Sequence, residues 1–321
     1  MDVGMSEDFD SEYFELSGIR GECIDFGTAN PVNYTEAIMT PSECEKIRIN
    51  GKLFLPESSE PSPAVVMVPG SLGVSENHLT HAGTLLSERI AVFVVDPFSN
   101  RSVQSTVANQ TQYSFAASAF DVLAALRTIR EHPQIDPTRI SAQGHSRGGA
   151  AILTAAIRAF ADPIVGPECV FKSIYAVYPW CGHQFITPYV GSTRVRAIVG
   201  ELDDWLSVQQ VQSQIQAINL CGGDASIRIM AGASHSFDKE EFLHELPDAS
   251  VSPNAPTIYL TPDGSMIDPY SGSVSSVETD RTYFLKAVEA GHGRRGAHIG
   301  GTKEQQEAFR SDMLAFHKSN F

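Results

Sequence analysis

Two hydrophobic patterns alternate along most of this 321-residue chain. Continuous apolar runs at residues 64–68 and 90–95 are rich in Val and carry no polar residue, which is typical of strands buried on both faces of a parallel sheet. Between them, residues 78–88 have the length and composition of a helix. A strand, a helix and a strand at this spacing predict a βαβ unit, so the pattern indicates an α/β domain.

The rest of the chain continues this alternation. Further predicted elements, in chain order, are a strand at 22–26, a β-hairpin at 46–56 with Asn50-Gly51 as its turn, a helix at 114–131, a strand at 139–142, a helix from 150, strands at 173–178 and 195–200, a helix at 209–219, a strand at 226–230 and a closing helix at 304–318. The polar segment 97–113 has no clear period, and a loop of that length is usually a lid or a pocket wall.

This order of elements predicts one α/β domain with a doubly wound, mostly parallel sheet and helices on both faces. The domain is expected over residues 46–321. Residues 1–45 are interpreted as an N-terminal extension with a possible first strand, of which about the first twenty residues are frayed.

The most informative motif is Gly144-His145-Ser146-Arg147-Gly148, between a predicted strand and a predicted helix. A Gly-x-Ser-x-Gly motif in that context is typical of a nucleophile elbow, a sharp turn that exposes the serine hydroxyl above the sheet. The glycines are needed because side chains two residues before and after the serine would collide with the strand and the helix. Ser146 is therefore the candidate nucleophile.

A serine hydroxyl needs a base to take its proton and an acid to orient that base, and in doubly wound folds such groups follow strand ends. His235 follows the last predicted strand of the sheet and is the candidate base. His244, in a predicted helix, is its weaker rival. Asp203 and Asp204 follow the preceding strand and compete for the role of acid, with Glu201 as a third candidate. Position alone does not separate the two aspartates.

Stabilising an oxyanion requires two backbone N–H donors. One is expected from Arg147, directly after the nucleophile, and the other from the loop after the strand at 64–68, at Ser71 or Leu72. His78, Trp180, His183 and Trp205 lie on loops near strand ends and are interpreted, with Leu72 and His145, as substrate-binding residues of the pocket wall.

Several motifs occur together in a fixed order along the chain. They are Val68-Pro69-Gly70-Ser71-Leu72-Gly73, residues 136–140 leading into 144–149, residues 178–181, residues 200–205 and residues 232–238. Together they resemble the dienelactone-hydrolase-related branch of the α/β-hydrolases, from about residue 46 to the end. Dienelactone hydrolases proper carry Cys as the nucleophile, so Ser146 places the resemblance in a serine-nucleophile branch of the α/β-hydrolase fold.

The resemblance implies roles that spacing leaves open. It implies Asp203 as the acid and Ser71 as the first oxyanion donor. It also matches Arg101 to an arginine of the family pattern. Arg101 then either binds a substrate carboxylate or only holds its loop in place. The insertion at 245–297, with a predicted hairpin around Asp263-Gly264, is expected to be an accessory element near the site, and residues 291–296 are expected to be a loop.

The composition of the chain argues against several classes of binding partner. The formal charge of −15 leaves no basic patch for nucleic acid or an anionic membrane, and no apolar run is long enough to span a bilayer. The five cysteines form no CxxC pair, which predicts free thiols. The acidic N-terminus has no apolar signal region, which predicts a cytoplasmic protein. The pairs His78/His81 and Cys181/His183 lack further ligands at suitable spacing, so we expect no metal; no nucleotide motif indicates a cofactor.

These observations predict a serine hydrolase that cleaves a small-molecule carboxylic ester or lactone through an acyl-enzyme, with no cofactor. An acyltransferase, thioesterase or C–C hydrolase would use the same three residues. A non-catalytic ligand-binding protein on a hydrolase fold is the alternative from another class, and the intact Ser-Asp-His set argues against it.

Overall fold

The computed structural model describes residue 9 and residues 11–321. Within this range the strands are β1 (Glu15–Leu16), β2 (Ile19–Arg20), β3 (Glu22–Ala29), β4 (Lys46–Phe54), β5 (Ser62–Val68), β6 (Ala91–Asp96), β7 (Ile135–His145), β8 (Ser173–Val177), β9 (His183–Phe185), β10 (Arg194–Gly200), β11 (Ala225–Met230), β12 (His244–Val251), β13 (Ile258–Leu260), β14 (Met266–Ile267), β15 (Val274–Ser275) and β16 (Arg294–Ile299). The helices are α1 (Tyr34–Met39), α2 (Glu76–Ser87), α3 (Phe115–Arg130), α4 (Arg147–Ala156), α5 (Arg158–Val165), α6 (Val208–Leu220), α7 (Asp280–Glu289) and α8 (Lys303–Asn320).

Eight strands form the main sheet in the order β11-β10-β8-β7-β5-β6-β4-β3. The pairs from β11 to β6 are parallel, whereas β4 is antiparallel to both of its neighbours. The predicted doubly wound, mostly parallel sheet is thereby confirmed. Ser146, Asp203 and His235 follow the carboxyl ends of β7, β10 and β11, so the topology brings all three to one edge of the sheet.

The predicted hairpin at 46–56 is wrong, because Asn50 and Gly51 lie inside one continuous strand, β4. This strand pairs with β3 on one side and with β6 on the other. A Cβ atom at Gly51 would lie 2.7 Å from the Phe93 ring and 2.7 Å from the carbonyl oxygen of Val94. The glycine is therefore needed for close packing between strands and does not form a turn.

The insertion between His235 and α8 forms two small sheets and a helix. β12 pairs with β16, while β13 and β14 form the predicted hairpin around Asp263-Gly264, where Gly264 has a φ of 83°. β13 also pairs with β9, which ties the insertion to the chain segment after β8. Two predictions here are wrong: His244 lies in a strand and not in a helix, and the expected loop at 291–296 gives way to β16 from Arg294 onward.

The N-terminal prediction falls partly outside the described residues, since 1–8 and 10 are not among them. Residues 15–20 form the short hairpin β1–β2. The five cysteines, all within the described range, are free thiols, as expected. In that same range no single helix is long and apolar enough to cross a membrane; α4 and α5 together meet the length and composition criteria but are bent by 78°.

Candidate active site

Ser146 stands at the turn between β7 and α4 with a φ of 54° and a ψ of −112°, a conformation that residues other than glycine rarely adopt. Glycines on both sides let the backbone segments come close enough for this turn. A Cβ atom at Gly144 would collide with the carbonyl oxygen of Gly148, and one at Gly148 would collide with that of Val68. The chain around Ser146 therefore has the geometry that the motif predicts for a nucleophile elbow.

His235 connects Ser146 to Asp203. Its Nε2 lies 3.0 Å from the Ser146 Oγ, and its Nδ1 lies 2.8 Å from the Asp203 Oδ2. All three residues are buried. An imidazole that donates its Nδ1–H to a carboxylate presents the lone pair of Nε2 to its other neighbour, which here is the serine hydroxyl. The indole of Trp205 stacks on the His235 ring with centroids 5.0 Å apart, which fixes the plane of that ring.

The two aspartates that compete in the sequence have different environments. The second carboxylate oxygen of Asp203 accepts hydrogen bonds from the backbone N–H groups of Trp205 and Leu206, at 3.0 and 3.2 Å. Asp204 instead faces β16, where it accepts from the backbone N–H and the Nδ1 of His298, each at 2.9 Å. Glu201 caps a different turn, accepting from the Gly232 N–H at 2.8 Å. Only Asp203, among these three acids, contacts His235.

Two backbone N–H groups lie close to Ser146. Gly70 packs so tightly against it that an added Cβ would lie 3.2 Å from the Ser146 Cβ. The Gly73 N–H donates to the Gly70 carbonyl at 3.1 Å, which closes a tight turn with Ser71 at its tip. Among the backbone hydrogen bonds outside the helices and strands of the described residues, none involves the Ser71 N–H, and Arg147 is the first residue of α4, where N–H groups have no partner within the helix. They are thus free to donate to a negatively charged oxygen, as the sequence predicts for an oxyanion hole.

The Arg147 side chain is a structural anchor. Its Nε donates to the Ser118 hydroxyl at 3.1 Å, and its two terminal nitrogens donate to the carbonyl oxygens of Gln110 and Tyr113, both at 2.7 Å. The guanidinium also lies over the rings of Tyr113 and Phe115. The segment 97–113, predicted as a pocket wall, is therefore held against the elbow, and its residue Gln110 lines the cavity at Ser146.

Arg101 does not line either cavity at Ser146, so the alternative in which it binds a substrate carboxylate is wrong. Its terminal nitrogens make a bidentate ion pair with Asp121 at 2.8 and 2.9 Å, and its Nε donates to Asn30 at 2.9 Å. A further bond goes to the Pro97 carbonyl. Burial disfavours the charge, but Asp121 outweighs it and raises the pKa of Arg101. Arg101 therefore holds its loop in place, the alternative left open by the sequence.

A large cavity, partly open to solvent, lies beside Ser146. Trp180, His183 and Trp205, expected as pocket residues, all line it. The insertion supplies one side of the wall, through Ser250, Val251, Ser252, Ala255, Pro256, Ile258, Pro269, Tyr270, Asp280, Tyr283, Phe284 and Ala287. The insertion therefore borders the cavity that Ser146 lines, although its lining residues could not be named from the sequence.

A smaller cavity lies on another side of Ser146. Leu72 and His78 line it, as expected, and Lys239 adds a cationic side chain that the sequence did not indicate. His145 also borders this cavity but is almost entirely buried, and burial lowers its pKa to about 3. His145 is therefore neutral and packs behind the nucleophile.

Behind His145 lies a second aspartate–histidine pair that the sequence analysis did not identify. Asp238 Oδ2 lies 2.7 Å from the His81 Nε2 and accepts from Asn77 at 2.9 Å, while Oδ1 accepts from the Tyr178 hydroxyl at 2.6 Å. Burial acts to raise the pKa of Asp238, but the hydrogen bonds from His81 and Tyr178 and the nearby imidazoles hold it well below its usual range. In the sequence, His81 was considered only together with His78, as a weak candidate pair of metal ligands.

Ligand atoms of His81, His145 and Asp238 lie within 4.8 Å of one another, close enough for a metal ion to be considered. The contact between His81 and Asp238 has the length of a hydrogen bond, and the carboxylate already accepts from Asn77 and Tyr178. This arrangement fits a hydrogen-bond network. It differs from both metal pairs considered in the sequence, because His78 and Cys181 take no part in it.

Comparison with known families gives one match. The family model described as dienelactone hydrolase family matches residues 49–249, which is more than half of the chain. The matched range includes most of β4, the strands β5 to β11 and the loop that carries His235, but it ends within the insertion. No curated protein matches the sequence closely enough to count as a relative.

Solved structures with a similar fold are distant in sequence. The protein m3DLH is 14% identical and has a TM-score of 0.51, over 84% of this chain and 95% of that one. A dienelactone hydrolase-like promiscuous phosphotriesterase from metagenomic libraries is 17% identical, with a TM-score of 0.46 over 84% of this chain and 96% of its own. Esterase 2 of Thermogutta terrifontis, phosphorylated by paraoxon, is 16% identical, with a TM-score of 0.47 over 60% and 80%. At such identities the likeness concerns the fold alone.

Proposed function

The chain belongs to the dienelactone hydrolase family and is an α/β-hydrolase, and from that premise we propose that it cleaves a carboxylic ester or lactone through an acyl-enzyme on Ser146. His235 is the general base and Asp203 the acid that orients it. The N–H groups of Ser71 and Arg147 form the oxyanion hole. The observation that carries this proposal is the contact of His235 with both Ser146 and Asp203, at 3.0 and 2.8 Å.

The reaction follows from these contacts in two steps. The Ser146 Oγ attacks the acyl carbon while His235 Nε2 takes the hydroxyl proton, and Asp203 stabilises the imidazolium that forms. The carbonyl oxygen becomes an oxyanion that accepts hydrogen bonds from the two backbone N–H groups. The tetrahedral intermediate collapses, and His235 returns its proton to the departing alcohol oxygen. Water then attacks the acyl-enzyme by the same route and releases the acid.

The same base and oxyanion hole would serve other reactions, since an acyltransferase transfers the acyl group to an acceptor other than water, and a thioesterase or a C–C hydrolase cleaves a different bond. Hydrolysis is preferred because the family to which the chain belongs is a hydrolase family. Product analysis with an added alcohol or amine separates hydrolysis from acyl transfer. Hydrolysis predicts free acid as the main product, and a dominant ester or amide of the added acceptor would identify a transferase.

The experiment that tests the proposal is intact-mass analysis after treatment with a fluorophosphonate. We expect one adduct on the wild type and none on Ser146→Ala, because the reagent reacts with serines activated by a base. Ser87→Ala is the matched control, as Ser87 lies at the end of α2 and its hydroxyl bonds only to the Thr84 carbonyl. An adduct that persists on Ser146→Ala, or a wild type without one, would contradict the assignment.

A further inference from the structure

The large cavity contains a carboxylate oxygen without a partner. Asp280, the first residue of α7, lines the cavity and is only 6% exposed. Its Oδ2 accepts from the Phe115 N–H at 2.7 Å, which ties the insertion to the start of α3. Its Oδ1 has no hydrogen-bond partner in the described part of the chain. Leaving a buried acceptor unpaired is costly, so this oxygen is available to a donor in the cavity.

The neighbouring polar groups do not satisfy that oxygen. The His183 Nδ1 lies 3.8 Å away, beyond hydrogen-bond distance, and is itself 3.2 Å from the Tyr34 hydroxyl. Burial lowers the pKa of His183, so the ring is neutral at pH 7. Arg147 also borders the cavity, but its three donor contacts go to Ser118, Gln110 and Tyr113. Its charge offsets that of Asp280 without supplying a hydrogen bond.

The rest of the wall is mostly apolar and aromatic. Trp180 stacks on Phe115 with ring centroids 4.2 Å apart, and Tyr283 and Phe284 come from the same helix as Asp280. Such a wall binds an apolar body, and the exposed faces of aromatic rings also attract cationic groups. Arg101 forms its ion pair with Asp121 away from the cavity. It is therefore not available to bind a substrate carboxylate in the cavity.

We propose that the cavity selects substrates whose apolar part carries a hydrogen-bond donor, an amino or a hydroxyl group, and that Asp280 Oδ1 accepts this hydrogen bond. The inference rests on the proposed function, because it concerns the substrate of the same Ser146. It assigns Asp280 as a specificity residue supplied by the insertion. The match of Arg101 to the family's arginine had suggested a substrate with an acidic group. Asp280 would instead repel such a group.

Matched esters test this inference. The 4-nitrophenyl esters of hexanoic, 6-aminohexanoic, 6-hydroxyhexanoic and adipic acid (the last as its half-ester) share one body and end in methyl, ammonium, hydroxyl or carboxylate. A second set, the acetates of hexanol, 6-aminohexanol and 1,6-hexanediol, places the same groups on the alcohol side. In at least one set we expect kcat/KM for the donor-bearing esters to exceed that of the methyl-ended ester by about tenfold, with the carboxylate lowest in the acid series.

Asp280→Asn sharpens the test. Because the Phe115 N–H requires the amide oxygen, the amide NH₂ takes the position of Oδ1 and offers a donor in place of an acceptor. We expect the preference for donor-bearing over methyl-ended esters to fall about tenfold and the carboxylate ester to improve. Asp263→Asn is the control, since it removes the same charge from an exposed hairpin of the same insertion. Its ratios should equal those of the wild type.

Hydrolysis of the methyl-ended esters separates the two proposals. If they are hydrolysed but neither the wild type nor Asp280→Asn distinguishes the four ends, the role of Asp280 is refuted while the proposed function stands. If no ester is hydrolysed, the proposed function fails, and binding then decides about Asp280. Hexylamine or hexanol should raise the Tm of the wild type more than that of Asp280→Asn, whereas equal shifts would refute the inference.

Discussion

Two buried aspartate–histidine pairs lie close together in this molecule, and Tyr178 contacts both. Its ring centroid lies 4.5 Å from that of His235, and its hydroxyl donates to Asp238 at 2.6 Å. The contacts within the pairs are nearly equal, 2.8 Å between His235 and Asp203 and 2.7 Å between His81 and Asp238. Geometry within a pair therefore does not distinguish a catalytic role from a structural one.

The two pairs differ in what the second ring nitrogen of each histidine contacts. The free nitrogen of His235 meets the Ser146 hydroxyl, whereas the Nδ1 of His81 has no partner in the described residues. Asp203 holds its orientation through backbone N–H groups, while Asp238 is held by the side chains of Asn77 and Tyr178. This difference supports the proposal that the first pair transfers a proton, whereas the contacts of the second pair satisfy a buried charge.

The largest expected effect is on catalysis. His235→Ala should lower kcat/KM for 4-nitrophenyl acetate by about 10⁴-fold or more, because it removes the only imidazole that is hydrogen-bonded to the Ser146 hydroxyl among the described residues. His244→Ala, the rival from the sequence, should leave it unchanged, since His244 Nδ1 contacts only the Phe242 carbonyl at the start of β12. Equal losses in the two variants would contradict the choice of base.

The next effect is on stability. Asp238→Asn should lower the free energy of unfolding by about 3 kcal/mol, since it removes a buried charge and places an NH₂ against donors. Urea denaturation of this variant and of the wild type measures the loss. An unchanged unfolding midpoint would show that the second pair does not stabilise the fold.

The pH dependence of stability gives a smaller effect. Burial lowers the pKa of His145 from its ordinary 6.5 to about 3 in the folded protein. Between these values the unfolded chain binds a proton at this position that the folded protein does not. Stability therefore falls as the pH drops through this window, by about 1.4 kcal/mol per pH unit for one such group.

His145→Asn should reduce that slope by this amount, which denaturation at pH 6, 5 and 4 would detect. His292→Asn is the control, because it removes a histidine from a less buried position in the insertion. If both variants kept the wild-type slope, the buried neutral state of His145 would be contradicted.

The smallest effect is expected at Asp204. Asp204→Asn should change kcat/KM by no more than about twofold, because this carboxylate binds His298 at the surface and does not contact His235. Hydrogen bonds from His298 lower the pKa of Asp204 in spite of partial burial, so the substitution affects the attachment of β16 to the loop. A loss of several hundredfold would restore Asp204 as a candidate acid.

Much of the fold and the sharp turn at Ser146 were predictable because they depend on local rules. The elbow requires Gly144 and Gly148 around Ser146, and buried parallel strands require continuous apolar runs, so both leave a signal in the sequence. Asn50-Gly51 predicted a turn that the structure lacks, because glycine also permits close packing, here against Phe93. The local sequence does not show whether this glycine forms a turn or allows close packing between strands.

Long-range pairs left no such signal. His81 and Asp238 are 157 positions apart, and nothing near either residue specifies the other. Asp280 meets the cavity only because β13 pairs with β9 and α7 follows it, a docking that no spacing rule predicts. Arg101 was placed in the right loop, but its partner Asp121 lies on α3, so its role depended on tertiary packing.

The most direct test of the account compares the two pairs in one assay, the rate of fluorophosphonate labelling of Ser146 in Asp203→Asn and Asp238→Asn. Folded fractions are matched by working below the Tm of each variant. We expect Asp203→Asn to slow labelling by about 10³- to 10⁴-fold, since the imidazole loses its orienting carboxylate, and Asp238→Asn to slow it by less than about tenfold. Equal slowing in both, or the larger effect at Asp238, would contradict the assignment of Asp203 and His235 as the pair that activates Ser146.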